Sequence, residues 1–209
     1  MTKPLRLGIA GLGTVCVGVI KIIQNNLSLL EARAGKQILI SSVTAKFKTK
    51  DRGIDLSSYQ WESDPISLAK REDIDVFIEL IGGHNGAAKE AVEIAISKGK
   101  NVITANKALL AHHGHKLALK AEKNGSILRF EAAVAGGIPV VKSLTEGLAG
   151  NSIKRIMGVM NGTCNYILTR MESSGLSYEE VFSEANELGY LEADPNLDIG
   201  GIDAAQKLS

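Results

Sequence analysis

Short apolar runs alternate with longer stretches of helical spacing through the first 134 residues of this chain. The runs are LRLGIA at Leu5–Ala10, ILISSVTA at 38–45, DVFIELIG at 75–82, NVITA at 101–105 and ILRFEAAV at 127–134. They carry apolar residues at successive positions, so both faces of each strand are buried, as in a parallel sheet covered by helices on both sides. Between them, residues 14–30 space Val15, Val19, Ile22 and Ile23 as one helical face. Asp64-Pro65 reads as a helix cap with proline in the first turn. Further helices are expected at 86–98, closing at Gly99, and at 112–123, stopping near Gly125. The pattern predicts an α/β, doubly wound domain whose ligands lie at the carboxyl ends of its strands.

The rhythm changes after Gly136-Gly137. A helix is expected at 138–148, a more alternating strand at 152–160, and helices at 166–171 and 178–188. In MESSGLSYEE the serine before acids reads as a helix cap. A loop, GYLEADPNLDIGG, leads into the amphipathic stretch GIDAAQKLS. The division expected is 1–136 for the sheet domain and 137–209 for an α+β domain. A helix opening so near Ser209 leads to the expectation that this second domain is only partly present.

The first strand runs into GLGTVCVG, which has Gly11 and Gly13 of a dinucleotide turn but Cys16 where the third glycine belongs. The first glycine permits the tight turn, the second lets the backbone approach a pyrophosphate, and the third governs helix–strand packing. The two ligand-facing roles survive, so Gly11, Leu12, Gly13, Thr14 and Val15 are expected to hold a dinucleotide on the helix amides. The sheet domain is therefore expected to be Rossmann-like. After the second strand the sequence is AKFKTKDR, with no acid to receive a ribose 2′-hydroxyl before Asp51. Lys46 and Lys48 suit a 2′-phosphate, so NADP is expected, with NAD as the alternative.

Composition narrows the partners. Net charge is +1, from 24 basic and 23 acidic residues, and aromatic residues are 4% of the chain. This balance argues against nucleic acid. No uninterrupted apolar run reaches spanning length, and the N-terminus lacks a long apolar signal core, so a cytoplasmic protein without a membrane partner is expected. Cys16 and Cys164 show no framework spacing and read as reduced thiols. The AHHGH run, His112 to His115, reads as a solvated helix start in preference to a zinc site.

Lys107 follows the fourth strand and so lies at the carboxyl edge of the sheet. Lys207 lies four residues after Asp203 on one helical face, downstream of Glu192, Asp194 and Asp198. These groups suit a small substrate bearing an ammonium and a carboxylate. Spacing alone favours a surface ion pair for Asp203 and Lys207, worth well under ~1 kcal/mol.

The segments GLGTV, ELIGG, VITANKALLAHHG, EAAVAGGIPV, MNGTCNYILT and ELGYLEADPNLDIGGIDAAQK, in this order, resemble the N-terminal half of homoserine dehydrogenase. The resemblance implies a nucleotide-binding domain followed by a catalytic and dimerisation domain, and a homodimer for the whole enzyme. It implies reversible hydride transfer between NAD(P)H and L-aspartate 4-semialdehyde, giving L-homoserine on the way to threonine, isoleucine and methionine. By motif, Lys207 and Lys107 are the acid–base candidates: Lys207 protonates the forming alkoxide, and Lys107 orients the oxygen or shares the proton. Glu192, Asp198 and Asp203 match the acids that hold the substrate's amino group. EAAVAGG matches a monovalent-cation site, sodium for example, with Glu131 and the carbonyls of Val134, Gly136 and Ile138 as ligands. Lys46-Phe47 stands where an arginine–aspartate pair is frequent in that family.

Two rival readings come from different classes. Cys164 in NGTCNY would be the nucleophile of a phosphorylating aldehyde dehydrogenase. A nucleotide-binding sensor without chemistry would need neither lysine.

Overall fold

The computed structural model describes residues 3–191 and 195–209. Its contacts divide the chain into two units, one running through Val141 and the other Lys142–Ser209. The sequence change at Gly136 falls just before that division.

The first unit is built on β1 (Leu5–Ala10), β2 (Ile38–Thr44), β3 (Gln60–Trp61), β4 (Val76–Glu79), β5 (Asn101–Thr104) and β6 (Leu128–Arg129). All pairings are parallel, and the order across the sheet is β3-β2-β1-β4-β5-β6. Strands proceed outward one way from β1 and then the other way from β4, so the switch point lies between β1 and β4. That is where a doubly wound sheet opens a crevice at its carboxyl edge.

Alternation sorts the side chains between two cores. Leu7 and Ile9 of β1, with Val76 and Ile78 of β4, face Cys16 and Ile20 of α1 (Thr14–Ala34). Ala10 and Phe77 face the opposite side, against α2 (Pro65–Lys70), α3 (Ala87–Ser97) and α4 (Lys107–Lys123). Asp64 caps α2 by accepting from the Ser67 amide at 2.8 Å, and Pro65 fills the first helical position. At the amino edge, Asp75 accepts from the Arg6 guanidinium at 2.9 and 3.0 Å and from the Arg6 amide at 3.0 Å. The guanidinium holds this carboxyl well below the usual carboxylate range.

Several elements differ from the expectations. The strand expected at 75–82 ends at Glu79, because the next amides turn back to bind its carboxylate. The helix expected from 112 begins at Lys107, because the Asn106 side chain accepts from the Leu109 amide at 3.0 Å and caps it there. The strand expected at 127–134 is confined to Leu128–Arg129, and α5 (Glu131–Val134) follows. The edge strand β3 is too short to leave a periodic signal. Among the described residues one helix, α1, is long and apolar enough by length and composition to cross a membrane, although Lys21 and the polar run Gln24-Asn25-Asn26 interrupt its apolar sequence. Cys16 and Ile20 anchor it on the sheet.

In the second unit, α6 (Val140–Lys142), which straddles the division, gives way to a π-helical turn, Ser143–Gly147, in place of the regular helix expected at 138–148. Residues 152–160 are irregular and largely exposed instead of forming a strand. A strand needs a neighbour to satisfy its backbone groups, and among the described residues none pairs with this segment. The rest is helical: α7 (Gly162–Ser174), α8 (Tyr178–Glu187), α9 (Asn196–Ile199) and α10 (Ile202–Leu208). Ile167 of α7 packs on Val181 and Ala185 of α8. Ser177 and Glu180 form the capping box of α8, as the serine-before-acid pattern led one to expect.

Candidate active site

Gly11 has φ +95°, a conformation that L side chains avoid. A methyl group there would lie 2.4 Å from the Leu80 carbonyl oxygen. The turn therefore passes directly against the end of β4. Gly13 is different: it is extended, with φ −84° and ψ −169°, and the space above its α-carbon is open to 4 Å. Its place at the head of α1 puts the amides of Thr14 and Val15 in the first helical turn, where they have no intrahelical partner, the setting a pyrophosphate requires. Cys16 is fully buried among Ile9, Ile20 and Val43, and burial pushes its thiol up to about 12. It takes the helix–strand packing role and leaves the ligand-facing glycines untouched.

Lys46 and Lys48 are exposed beyond β2, with Lys46 over Phe47 and Lys48 over Trp61. Sequence reasoning passed over Arg52. Its Nε donates to the Leu12 carbonyl at 3.2 Å and a terminal nitrogen to the Lys50 carbonyl at 2.6 Å, beside Trp61. It thus ties the glycine turn to the basic loop. The arginine was visible in KDR, but only folding shows which carbonyls it reaches.

Across the switch point, Glu79 and Asn106 hold the ends of β4 and β5. The Asn106 amide nitrogen donates to the Gly83 carbonyl at 2.7 Å. Lys107 is the first residue of α4 and half-buried. His84, from the β4–α3 loop, stacks on His112, with ring centroids 4.3 Å apart. Among the described residues no group of His, Cys, Asp and Glu has the makings of a metal site. Glu131 opens α5, and its Oε1 accepts from the Val141 amide at 2.9 Å.

In the second unit, two acids meet on one asparagine, and a lysine joins them through Asp203. Asn161 caps α7 through its side-chain oxygen, which accepts from the Cys164 amide at 2.8 Å. Its nitrogen donates to Asp198 at 2.7 Å and to Asp203 at 2.9 Å. Lys207 donates to Asp203 at 2.7 Å and to the Met160 carbonyl at 2.9 Å. Asp203 and Asp198 are each only 3% exposed, so this is no surface ion pair, contrary to the inference from spacing. Sequence reasoning missed Asn161, although its place before Gly162-Thr163 is a capping signal. Glu192 lies outside the described residues.

Cys164 donates its thiol to the Asp198 carbonyl at 3.2 Å. Burial, then the charges of Asp198 and Asp203, push the thiol up, so the thiolate a nucleophile needs is disfavoured here. Both cysteines are free.

Residues 11–131 match the family model described as the NAD-binding domain of homoserine dehydrogenase, and residues 139–209 match the model described as homoserine dehydrogenase. The chain is 47% identical over 207 residues to the homoserine dehydrogenase of Neisseria gonorrhoeae, covering 99% of this chain and 47% of that protein. It is 43% identical to the enzyme of Bacillus subtilis, covering 99% and 48%. It thus spans about half the length of the curated relatives it matches. A solved homoserine dehydrogenase from Thiobacillus denitrificans superposes with a TM-score of 0.89 at 41% identity, covering 99% of this chain and 47% of that one. A hyperthermophilic archaeal homoserine dehydrogenase in complex with NADPH gives 0.82 at 28% identity, covering 98% and 67%.

Proposed function

The chain belongs to the homoserine dehydrogenase family, and we propose that it carries the coenzyme-binding and part of the catalytic apparatus for reversible reduction of L-aspartate 4-semialdehyde to L-homoserine. The observation that carries this reading is the Asp198–Asn161–Asp203–Lys207 chain, its acids and asparagine buried, which combines acceptors for a substrate ammonium with a held proton donor. The open space at Gly13 at the head of α1 fits a dinucleotide, and the lysine-bearing loop beyond β2 favours NADP over NAD. When bound, NADPH supplies the hydride.

The work of the chain is positioning and proton delivery. Asp198 and Asp203, with Glu192, hold the substrate's amino group. Lys207, steadied by Met160 and Asp203, protonates the oxygen as the carbonyl carbon is reduced, and Lys107 orients that oxygen or shares its proton. Glu131 and the carbonyls of Val134, Gly136 and Ile138 hold a monovalent cation. The Ile138 carbonyl already accepts from the Val140 amide at 2.8 Å, which leaves its second lone pair for such an ion. The whole enzyme is proposed to be a cytoplasmic homodimer.

The test is NADPH oxidation by a hybrid in which the remaining half of the Neisseria relative follows Ser209. Turnover with aspartate semialdehyde is expected, and Lys207→Ala should lower kcat by about 10²–10⁴-fold. A hybrid that binds NADPH yet leaves the semialdehyde unreduced, while the intact relative reduces it, would refute the reading.

A further inference from the structure

We infer that Glu79 is a positioning residue that shapes the nicotinamide side of the coenzyme crevice and sets the start of the Lys107 helix; the inference rests on the NADP(H) reading above. Glu79 is the last residue of β4, beside the switch point, and is fully buried. A buried carboxylate is costly unless its lone pairs are occupied. Here one oxygen accepts from the amides of Ile81 at 2.8 Å and Gly82 at 3.1 Å, and more weakly from the Asn106 side chain at 3.5 Å. The other accepts from the Thr104 hydroxyl at 2.5 Å. All these donors are neutral, so the carboxylate serves to gather backbone and does not neutralise a cation.

What it gathers lies along the crevice. Leu80 and Ile81 pass against Gly11 closely enough to forbid a side chain there. The same segment continues to Gly83, whose carbonyl Asn106 holds. Thr104 binds Glu79 and also accepts from the Asn106 amide at 3.0 Å, and Asn106 caps the helix that begins with Lys107. One carboxylate therefore links the phosphate turn, the β4 loop and Lys107. In a doubly wound sheet the adenosine half lies over the β2 side of the switch point, which leaves the β4–β5 side for the nicotinamide half. A glutamine cannot reproduce the set. Its single carbonyl oxygen serves the loop amides, while its amide nitrogen offers the Thr104 hydroxyl a donor where it needs an acceptor.

The experiment compares this chain with Glu79→Gln, Thr104→Val and Thr104→Ser, titrating each with NADPH and with 2′,5′-ADP, the adenosine half alone. Glu79→Gln and Thr104→Val should weaken NADPH about tenfold and change 2′,5′-ADP by less than about twofold. Thr104→Ser, which keeps the hydroxyl, should behave as the parent chain. Equal weakening of both ligands, unfolding of both disruptive variants, or unaltered NADPH binding by Glu79→Gln overturns the inference and leaves the coenzyme reading standing. A parent chain that binds neither ligand overturns both.

Discussion

Substituting Gly11 by alanine should unfold the nucleotide turn, whereas the same change at Gly13 should spare the fold and weaken coenzyme binding. At Gly11 the new methyl lies 2.4 Å from the Leu80 oxygen, 2.6 Å from its carbonyl carbon and 2.9 Å from the Ile81 nitrogen. These are backbone atoms, so no side chain can swing aside. Ordinary contact would require the end of β4 to retreat by about 1 Å. That retreat stretches the bond from the Leu80 amide to the Ala10 carbonyl, now 2.8 Å, and pulls the Ile81 and Gly82 amides from Glu79. Overpacking costs about 1–3 kcal/mol, and the left-handed backbone adds roughly 1–2 kcal/mol for alanine. Together they should lower the melting midpoint by roughly 5–15 °C, followed by circular dichroism. Gly13 has ordinary dihedrals and open space, so its alanine variant should melt within about 1 °C of the parent. Its methyl nevertheless enters the phosphate space, and NADPH binding by calorimetry should weaken at least about tenfold. A Gly13 variant that melts as early as the Gly11 variant, or one that binds NADPH like the parent, would show the two roles are wrongly assigned.

Restoring the third glycine, Cys16→Gly, should destabilise by about 2–3 kcal/mol in a urea melt, since it empties a packed site and adds helix-interior glycine; a gain in stability would contradict the packing role. Asp75→Asn should cost roughly 1.5–3 kcal/mol near neutral pH. Because the folded carboxyl titrates below its unfolded value, this stabilisation is complete above about pH 4 and is lost as pH falls toward the folded value. The gap between parent and variant in urea midpoints should accordingly narrow below about pH 3, and a constant gap would exclude the mechanism. Native Cys16 should resist iodoacetamide at mildly alkaline pH and react only after unfolding, as followed by mass spectrometry; rapid native labelling would show that the thiol is neither buried nor raised.

The positions of β1, β2, β4 and β5, the doubly wound class and the glycine turn were legible in the sequence because each depends on neighbours within a few residues: apolar runs, caps, and glycines before a helix. The likeness of TANKALLA and GYLEADP to one family was legible for the same reason. What the residues alone did not settle lay at places where distant segments decide. Whether 152–160 forms a strand depends on a backbone partner, not on its alternation. The sequence around Glu79 gives no local sign of its role, because its partners come from the next turn and from β5. Asp203 and Lys207 read as a surface pair until Asn161, forty-two residues away, closed over the carboxylate. Local spacing fixes periodicity and capping; burial and hydrogen-bond partnership are set by chain-distant approach, and only the folded backbone specifies those approaches.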